Sequence, residues 1–558
     1  MMQRRAASDE SGKARCAKCG RLLFKPSRCR LCGNAYCHDH ASPSKHSCSS
    51  APQKPHEPAG RKAKVYRLVG VASAAIIGSL VILSLVAAPR PPAEWTGKTV
   101  FVDVTAEAGV GCQGSGHGLA LGDYDADGYV DIYVVNKAGP NVLFRNNGDG
   151  TFTDVTEVSG AGDRGGGHGA AFVDYDNDGD LDIWVANWVE NRDPNVLYRN
   201  NGDGTFTNVN QESGISRFRP GGSHGCTVLD FDRDGLIDLF ASSAEEACIL
   251  LRNRGDGTFE DYSERSGMRV GVRPHFQSTI DLDLDGFIDI MVSNSDPEDG
   301  DKDAPNQFYK NTGLGTFVDV AASVGLLKGD LHGAAFADFN GDGYLDLFAP
   351  DAAKGSKLNF LLNDGHGRFR DATKRSGTWH PAERTHAMAC GDFDNDGDLD
   401  AFLTSAGQDL LFANAGDARF REVARIVGLA DIPGDPKAAG FLDYDNDGDL
   451  DLYIVFSDRP NTLFRNDNTP GNWIKVKLVG SRSNRDAVGA RIELVSAAGV
   501  QVREVCGGRG HMQDTFEQFF GLGNSDLVES VRVLWPSGEV SLLESVRANQ
   551  RLVIREPG

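Results

Sequence analysis

Beyond residue 48 the chain has little cysteine. Of 11 Cys, only Cys112, Cys226, Cys248, Cys390 and Cys506 lie there. That odd, scattered set predicts no disulfide framework, with Cys226 and Cys390 buried as thiols on inner strands. Positive charge is lacking too. The formal net charge is −22, which argues against nucleic acid as a partner of the whole protein. No N-x-S/T sequon follows residue 88, which favours a bacterial over a eukaryotic secretory origin. Outside the repeats described below there is no G-x-S-x-G, no H-E-x-x-H and no phosphate-binding glycine loop, which favours binding over catalysis. Aromatic residues make up only 8%, whereas Gly reaches 67 of 558 residues. That balance predicts many tight turns and short strands rather than long helices.

Charge is uneven along the chain. Residues 1–67 carry 15 basic and 4 acidic side chains, and the remainder carries 42 and 75. A single long hydrophobic run divides the basic head from the acidic body. Leu68–Ala88 contains 21 residues without a charge, about the length of a bilayer core. Arg61, Lys62, Lys64 and Arg67 precede it, and Arg90 follows. The positive-inside rule then places the N-terminus in the cytoplasm and everything after about residue 90 outside, with the run serving as a single-pass signal-anchor. A buried core helix is the alternative. A cleaved signal peptide fits less well, since some sixty residues precede the run.

Residues 16–48 show the spacing C-x2-C-x9-C-x2-C-x4-C-x2-H-x5-H-x-C. Six Cys and two His are enough ligands for two tetrahedral zinc sites. So short a segment cannot bury enough apolar surface to fold unaided, and metal would supply the folding energy. The segment resembles the AN-one class of zinc finger at all eight positions. The resemblance implies a cross-brace, with Cys16, Cys19, Cys37 and His40 on one zinc and Cys29, Cys32, His46 and Cys48 on the other. It also implies a cytoplasmic protein partner. Basic residues around the ligands could instead touch anionic lipid. Residues 49–67 read as a basic, Pro-rich tether.

An acidic nonamer recurs seven times in the body, at spacings of 51, 56, 51, 57, 54 and 51 residues. Such a period means a repeat architecture. Oxygen-bearing side chains stand at positions 1, 3, 5 and 9, and Gly stands at position 6. The sets are Asp123, Asp125, Asp127 and Asp131; Asp174, Asp176, Asp178 and Asp182; Asp230, Asp232, Asp234 and Asp238; Asp281, Asp283, Asp285 and Asp289; Asp338, Asn340, Asp342 and Asp346; Asp392, Asp394, Asp396 and Asp400; and Asp443, Asp445, Asp447 and Asp451. This resembles the first half of a calcium loop. The Glu at position 12 of a helical calcium loop is missing, and a β-type run such as "DIYVVN" follows. The loop therefore joins two strands, and up to seven Ca²⁺ are expected. Four carboxylates held together would repel strongly without a cation.

Each repeat continues with a strand such as "NVLFRN", an "NGDGTF" turn and a fourth strand such as "TFTDVT". Four short strands per repeat is the composition of a propeller blade. Residues 101–468 resemble the FG-GAP and VCBS-type repeats of integrin-like propellers. The seventh repeat lacks its fourth strand, and "FVDVT" at Phe101–Thr105 supplies the missing piece before the first loop. Such closure removes open edges. The "RGD" at Arg254–Asp256 falls on the shared turn, so a structural role explains it.

Residues 472–556 carry alternating strand patterns and form a small β-rich domain. "SNRDAVGARIEL", "FGLGNSD" and "VRVLWPSG" resemble the ASPIC/UnbV domain, as found after propellers in the cartilage acidic protein family. His511, Asp514 and Glu517 lie on what reads as a solvated hairpin, with a polar site as the alternative.

Six residues before each loop stand His117, His168, His224, His275, His332, His386 and, in the seventh repeat, Lys437. They mark the start of each innermost strand. A ring of this kind could bind a transition metal or an anion, or it could fix the strands to their neighbours. The function expected is therefore calcium-dependent recognition of a protein or glycan outside a membrane, with a second partner on the finger. The alternatives are an extracytoplasmic enzyme using the His-ringed channel, and a passive spacer.

Overall fold

The structure, a computed structural model, describes residues 27–28, 35–36, 100–188, 194–217, 223–243, 248–268, 274–294, 305–326, 331, 333–350, 358–380, 385–405, 407–467 and 471–558. At 27–28, 35–36, 243 and 275 it describes the backbone alone. The chain divides into two units, Met1–Leu85 and Val86–Gly558. In the first, Ser27–Arg28 pairs antiparallel with Ala35–Tyr36. The eight candidate zinc ligands, the tether and Leu68–Ala88 lie outside the described residues. Among the described residues no helix is long and apolar enough to cross a membrane.

In the second unit every repeat folds as an antiparallel four-stranded sheet. In the first repeat the strands are Gly116–Gly122, Asp131–Asn136, Val142–Asn146 and Phe152–Asp154. The acidic loop joins strand one to strand two. The "NGDG" turn joins three to four, and Asn147 N–H closes it on the Thr151 carbonyl at 2.9 Å. The first strands of successive sheets pack side by side. Gly116–Gly122 meets both Gly167–Val173 of the second repeat and Pro436–Leu442 of the seventh. The result is a closed ring of seven sheets, the arrangement of a β-propeller.

The core lies between neighbouring blades rather than in one centre. Ala120, Tyr133, Phe172 and Ile183 fill the gap between the first two blades. Leu119, Val134, Tyr453 and Leu463 fill the gap between the last and the first. Burial of such side chains stabilises the ring by about 1.5–3 kcal/mol each. No blade can keep that contribution without its neighbours.

The ring closes as the repeat pattern predicts. Val100–Asp103 pairs antiparallel with Thr462–Asp467, in the register Phe101 to Asn466 and Asp103 to Phe464. In six blades the Asn at the end of the third strand adds a latch. Asn200 Nδ2 donates to the Tyr124 carbonyl at 3.0 Å and Asn253 Nδ2 to the Tyr175 carbonyl at 2.7 Å, each one blade back. Asn146 does the same to Tyr444 at 2.8 Å, across the point of closure.

The C-terminal domain is a sandwich. One sheet orders Gln518–Gly523, Asn472–Val479 and Gln550–Arg555; the other orders Gly499–Glu504, Arg491–Ser496, Leu527–Leu534 and Val540–Arg547. Ile474, Val476, Ile492, Phe520, Val533 and Trp535 are among its buried core. Between these strands, Met512–Gln513 leaves the sandwich and pairs parallel with Leu119–Ala120 of the first blade. That excursion corrects the expectation of a solvated hairpin.

Candidate functional site

All seven acidic loops share one backbone path. Position 4 is left-handed in each, from Leu284 at φ 56° to Gly341 at φ 70°. Gly at position 6 is left-handed too, reaching φ 103° at Gly179. At Arg233 and Leu284 a side chain sits in that strained region, at a cost of about 1–2 kcal/mol. The position-1 carboxylate accepts the position-6 N–H in every loop, at 2.8–3.2 Å. The position-9 carboxylate has a second job that spacing did not reveal. Its Oδ1 accepts the N–H of the Asn at the end of the third strand at 2.7–2.8 Å in all seven blades. It therefore pins the second strand to the third as well as facing the loop.

Carboxylate oxygens gather as a cation site would require. Asp123, Asp125 and Asp127 bring ligand atoms within 4.8 Å of one another, as do Asp230, Asp232 and Asp234, and Asp281, Asp283 and Asp285. In the second loop the gathered set is Asp174, Asp176 and Asp182, so position 9 replaces position 5. Oδ1 of Asp394, of Asp443 and of Asp445 is buried and accepts no hydrogen bond. A buried carboxylate oxygen without a partner is costly. These residues fit a hard divalent cation, which takes carboxylate and carbonyl oxygens.

Burial sets the electrostatics. It pushes Asp182 and Asp346 up to about 9 and Asp289 to about 8. Burial, then Asp486, pushes Asp174 to about 8; burial, then Asp234, pushes Asp230 to about 7. Some loops have a cation of their own. Arg252 reaches Asp232 at 2.7 Å and Asp234 at 3.0 Å, and Lys310 reaches Asp283 at 2.6 Å and Asp285 at 2.9 Å. Leu362 and Ala413 hold the equivalent place in the fifth and sixth blades.

The C-terminal domain sits on the loop end of the ring. Lys475 Nζ lies 2.5 Å from Asp443, and Arg551 lies 3.3 Å from Asp123. Asp174 N–H donates to Asp486 at 2.8 Å, and Arg485 N–H donates to Asn177 at 3.1 Å. From this seat residues 506–514 enter the ring between the inner strands as a tongue. Val228 N–H donates to the Gly507 carbonyl, Cys226 N–H to Gly510, and Leu119 N–H to His511, at 3.0–3.1 Å. Gly510 N–H donates to Gln277 at 2.8 Å. The Gln513 amide grips Phe172, accepting its N–H at 2.6 Å and donating to its carbonyl at 2.8 Å. A Cβ on Gly225 would lie 2.4 Å from the Gly510 oxygen, and one on Gly507 would lie 1.7 Å from the Val228 oxygen. Backbone passes backbone here, and glycine is what permits it. Arg509 pairs with Asp514 at 2.8 Å inside. Glu517 holds Arg551 at 2.7 Å.

The channel histidines are bulge residues. Pairing between the first two strands skips His117, His168, His224, His275, His386 and Lys437 in their blades. A bulge re-aims its side chain, so the shared position follows from shared backbone. His117, His168 and His224 gather, with ring centroids 4.1 Å apart for the first pair and 5.6 Å for the second. His511 from the tongue joins them, 5.0 Å from His117. Trp188 stacks on His168 at 4.6 Å. Burial, then neighbouring cations, holds His117 and His168 well below the usual imidazole range. His386 and Lys437 form a separate pair at 3.2 Å, with Asp435 2.8 Å from the ammonium. The side chain of His275, and His332 altogether, lie outside the described residues. Cys226 is buried and Cys390 partly so, both as free thiols.

A ring of four-stranded sheets, each turning on the same acidic loop, defines the class of FG-GAP-type repeat proteins. The profile of the FG-GAP-like repeat matches residues 123–185, 183–241, 230–292, 281–349 and 392–454, and the chain belongs to that family. The ASPIC and UnbV profile matches residues 480–558, and the AN1-like zinc finger profile matches residues 16–53. Cartilage acidic protein 1 of Mus musculus is 29% identical over 76% of this chain and 71% of its own length. The Homo sapiens protein of that name is 28% identical over 76% and 69%. The T-cell immunomodulatory protein of Rattus norvegicus is 24% identical over 63% and 62%.

Proposed function

We propose that this chain is a calcium-binding recognition protein. Residues 68–88 anchor it in a membrane, the finger lies in the cytoplasm with two Zn²⁺, and the ring lies outside, where it binds a protein or glycan. The observation that carries calcium is the set of buried, partnerless carboxylate oxygens on Asp394, Asp443 and Asp445. Calcium there would answer the carboxylates and stiffen the surface on which the C-terminal domain rests. Recognition is favoured over catalysis because the tongue takes up the side of the channel along the first four blades. Ser223 stands in a G-x-S-x-G frame but is buried at the start of an inner strand, and its hydroxyl is held by Asn195 at 3.0 Å. The anchor rests on the charge pattern around Leu68–Ala88.

Two measurements test this reading. A reporter fused to the C-terminus should be active only outside the membrane; activity inside would reverse the topology. Crosslinking from the native membrane should capture a ligand in calcium and lose it in chelator; capture indifferent to calcium would remove the ion from recognition.

The loops should also differ in affinity. Arg252→Ala and Lys310→Ala remove cations that compete for the third and fourth loops. Each is expected to tighten calcium at its loop about two- to fivefold and to destabilise the calcium-free protein, as a half-exposed ion pair allows. Calorimetric titration of the double variant beside the parent checks this, and unchanged affinity would show that these cations do not compete.

A further inference from the structure

We propose that His117, His168 and His511 form a binding site for a first-row transition metal ion, of the class of Zn²⁺, which clasps the tongue of the C-terminal domain to the first two blades. The site stands apart from the calcium loops and from ligand recognition. One ring nitrogen from each of the three residues lies within 4.8 Å of the other two. A tetrahedral ion with bonds of about 2.0–2.1 Å would draw these atoms inward. His117 and His511, each only partly buried, have room to make that adjustment.

The second observation is His168. It is 4% exposed, and neither of its ring nitrogens has a hydrogen-bond partner. A buried imidazole is normally satisfied on at least one nitrogen, because desolvating it without a partner is costly. Its indole neighbour Trp188 covers one ring face and offers no acceptor. The pocket therefore holds a strong ligand atom that no protein group satisfies. Imidazole suits zinc, copper, nickel and iron, whereas calcium prefers oxygen.

Nearby cations do not forbid a metal. The Lys437 ammonium is 2.8 Å from Asp435 and is thereby offset. Lys137 lies over the Trp188 ring at 5.5 Å. Three protein ligands would leave a fourth position for water. The unusual point is where the ligands come from. His117 and His168 arise from adjacent bulges, and His511 arises some 340 residues later in the chain. The site exists only when the tongue is home.

The test uses the full-length protein in millimolar Ca²⁺, so that the acidic loops are saturated. After loading with Co²⁺ and desalting, elemental analysis should find one more cobalt per chain in the parent than in His117→Gln or His511→Gln. The finger contributes equally to all three. Equal counts would overturn the proposal. A substitution in the tongue could unseat the domain, so a second measurement uses the parent alone. Crystals grown with Zn²⁺ should give an anomalous peak about 2.0–2.3 Å from the three ring nitrogens. A water or an anion at that point in saturating Zn²⁺ would overturn the site.

Discussion

Stripped of metal, the protein is expected to lose thermal stability as the pH rises from 6 to 9, and millimolar Ca²⁺ is expected to restore it. The sign follows from the loops. Burial raises Asp230 to about 7, Asp174 and Asp289 to about 8, and Asp182 and Asp346 to about 9. An unfolded Asp titrates near 3.9. A carboxyl whose folded value is raised contributes stability that is complete below its unfolded value and is lost as pH climbs through its folded value. The loss therefore runs from about pH 4 up to those folded values, and pH 6 to 9 is its upper part. Groups shifted the other way, such as Glu556 at about 2, lose their contribution only in acid and leave this window undisturbed. Calcium binds the ionised form, so its effect should be largest at pH 9. A hundredfold excess over the dissociation constant contributes about 2.7 kcal/mol per site. Several filled loops should raise the melting temperature by roughly 10 °C or more. Scanning calorimetry across pH, with and without chelator, decides the matter. A melting temperature independent of calcium at pH 9 would mean that the loops are held by their own cations.

The second large effect concerns the tongue. Gly225→Val should destabilise the protein by about 3 kcal/mol or more, the range of severe overpacking against atoms that cannot move. The atoms met are Gly510 O, C and Cα, at 2.4, 2.7 and 2.9 Å. The new side chain would expel the tongue and with it the hydrogen bonds to Cys226, Val228 and Leu119. Gly139→Ala is the control. It meets nothing within 4 Å but sits at φ 93°, so it reports the left-handed backbone cost alone, about 1 kcal/mol. New proteolysis within residues 506–514 should accompany Gly225→Val and be absent from the control. Equal losses in the two variants would mean that the tongue contributes little to stability.

Much of this architecture is local and therefore legible. The loops announce themselves because a sharp acidic turn needs Asp and Gly at fixed offsets. Phe101–Thr105 reveals closure because the seventh repeat is short of one strand. The tongue is different. "CGGRGHMQD" has the look of a polar, glycine-rich turn, since its partners are distant in the chain. A trace was present: Gly follows His at Gly118, Gly169 and Gly225, where a small residue beside a conspicuous one hints at a close approach. Nothing in the repeat alone says what approaches. The double task of the position-9 Asp was hidden for a related reason. Its partner Asn stands 14 to 22 residues away, and a metal ligand and a backbone anchor ask for the same side chain.

Closure by the first strand has a consequence for how the protein is made. Val100–Asp103 leaves the ribosome before any blade, yet its partner Thr462–Asp467 is among the last parts of the ring to be synthesised. Through that interval the strand's edge waits unpaired, while the growing row of sheets carries an open edge of its own. Contacts so distant in sequence form slowly, and waiting edges invite pairing with other chains. The tongue comes later still, so its channel must stay accessible until residues 506–514 arrive. Biogenesis thus ends with two late events, a join and an insertion, and a nascent chain arrested before residue 462 should be the form that chaperones hold and that aggregates most readily.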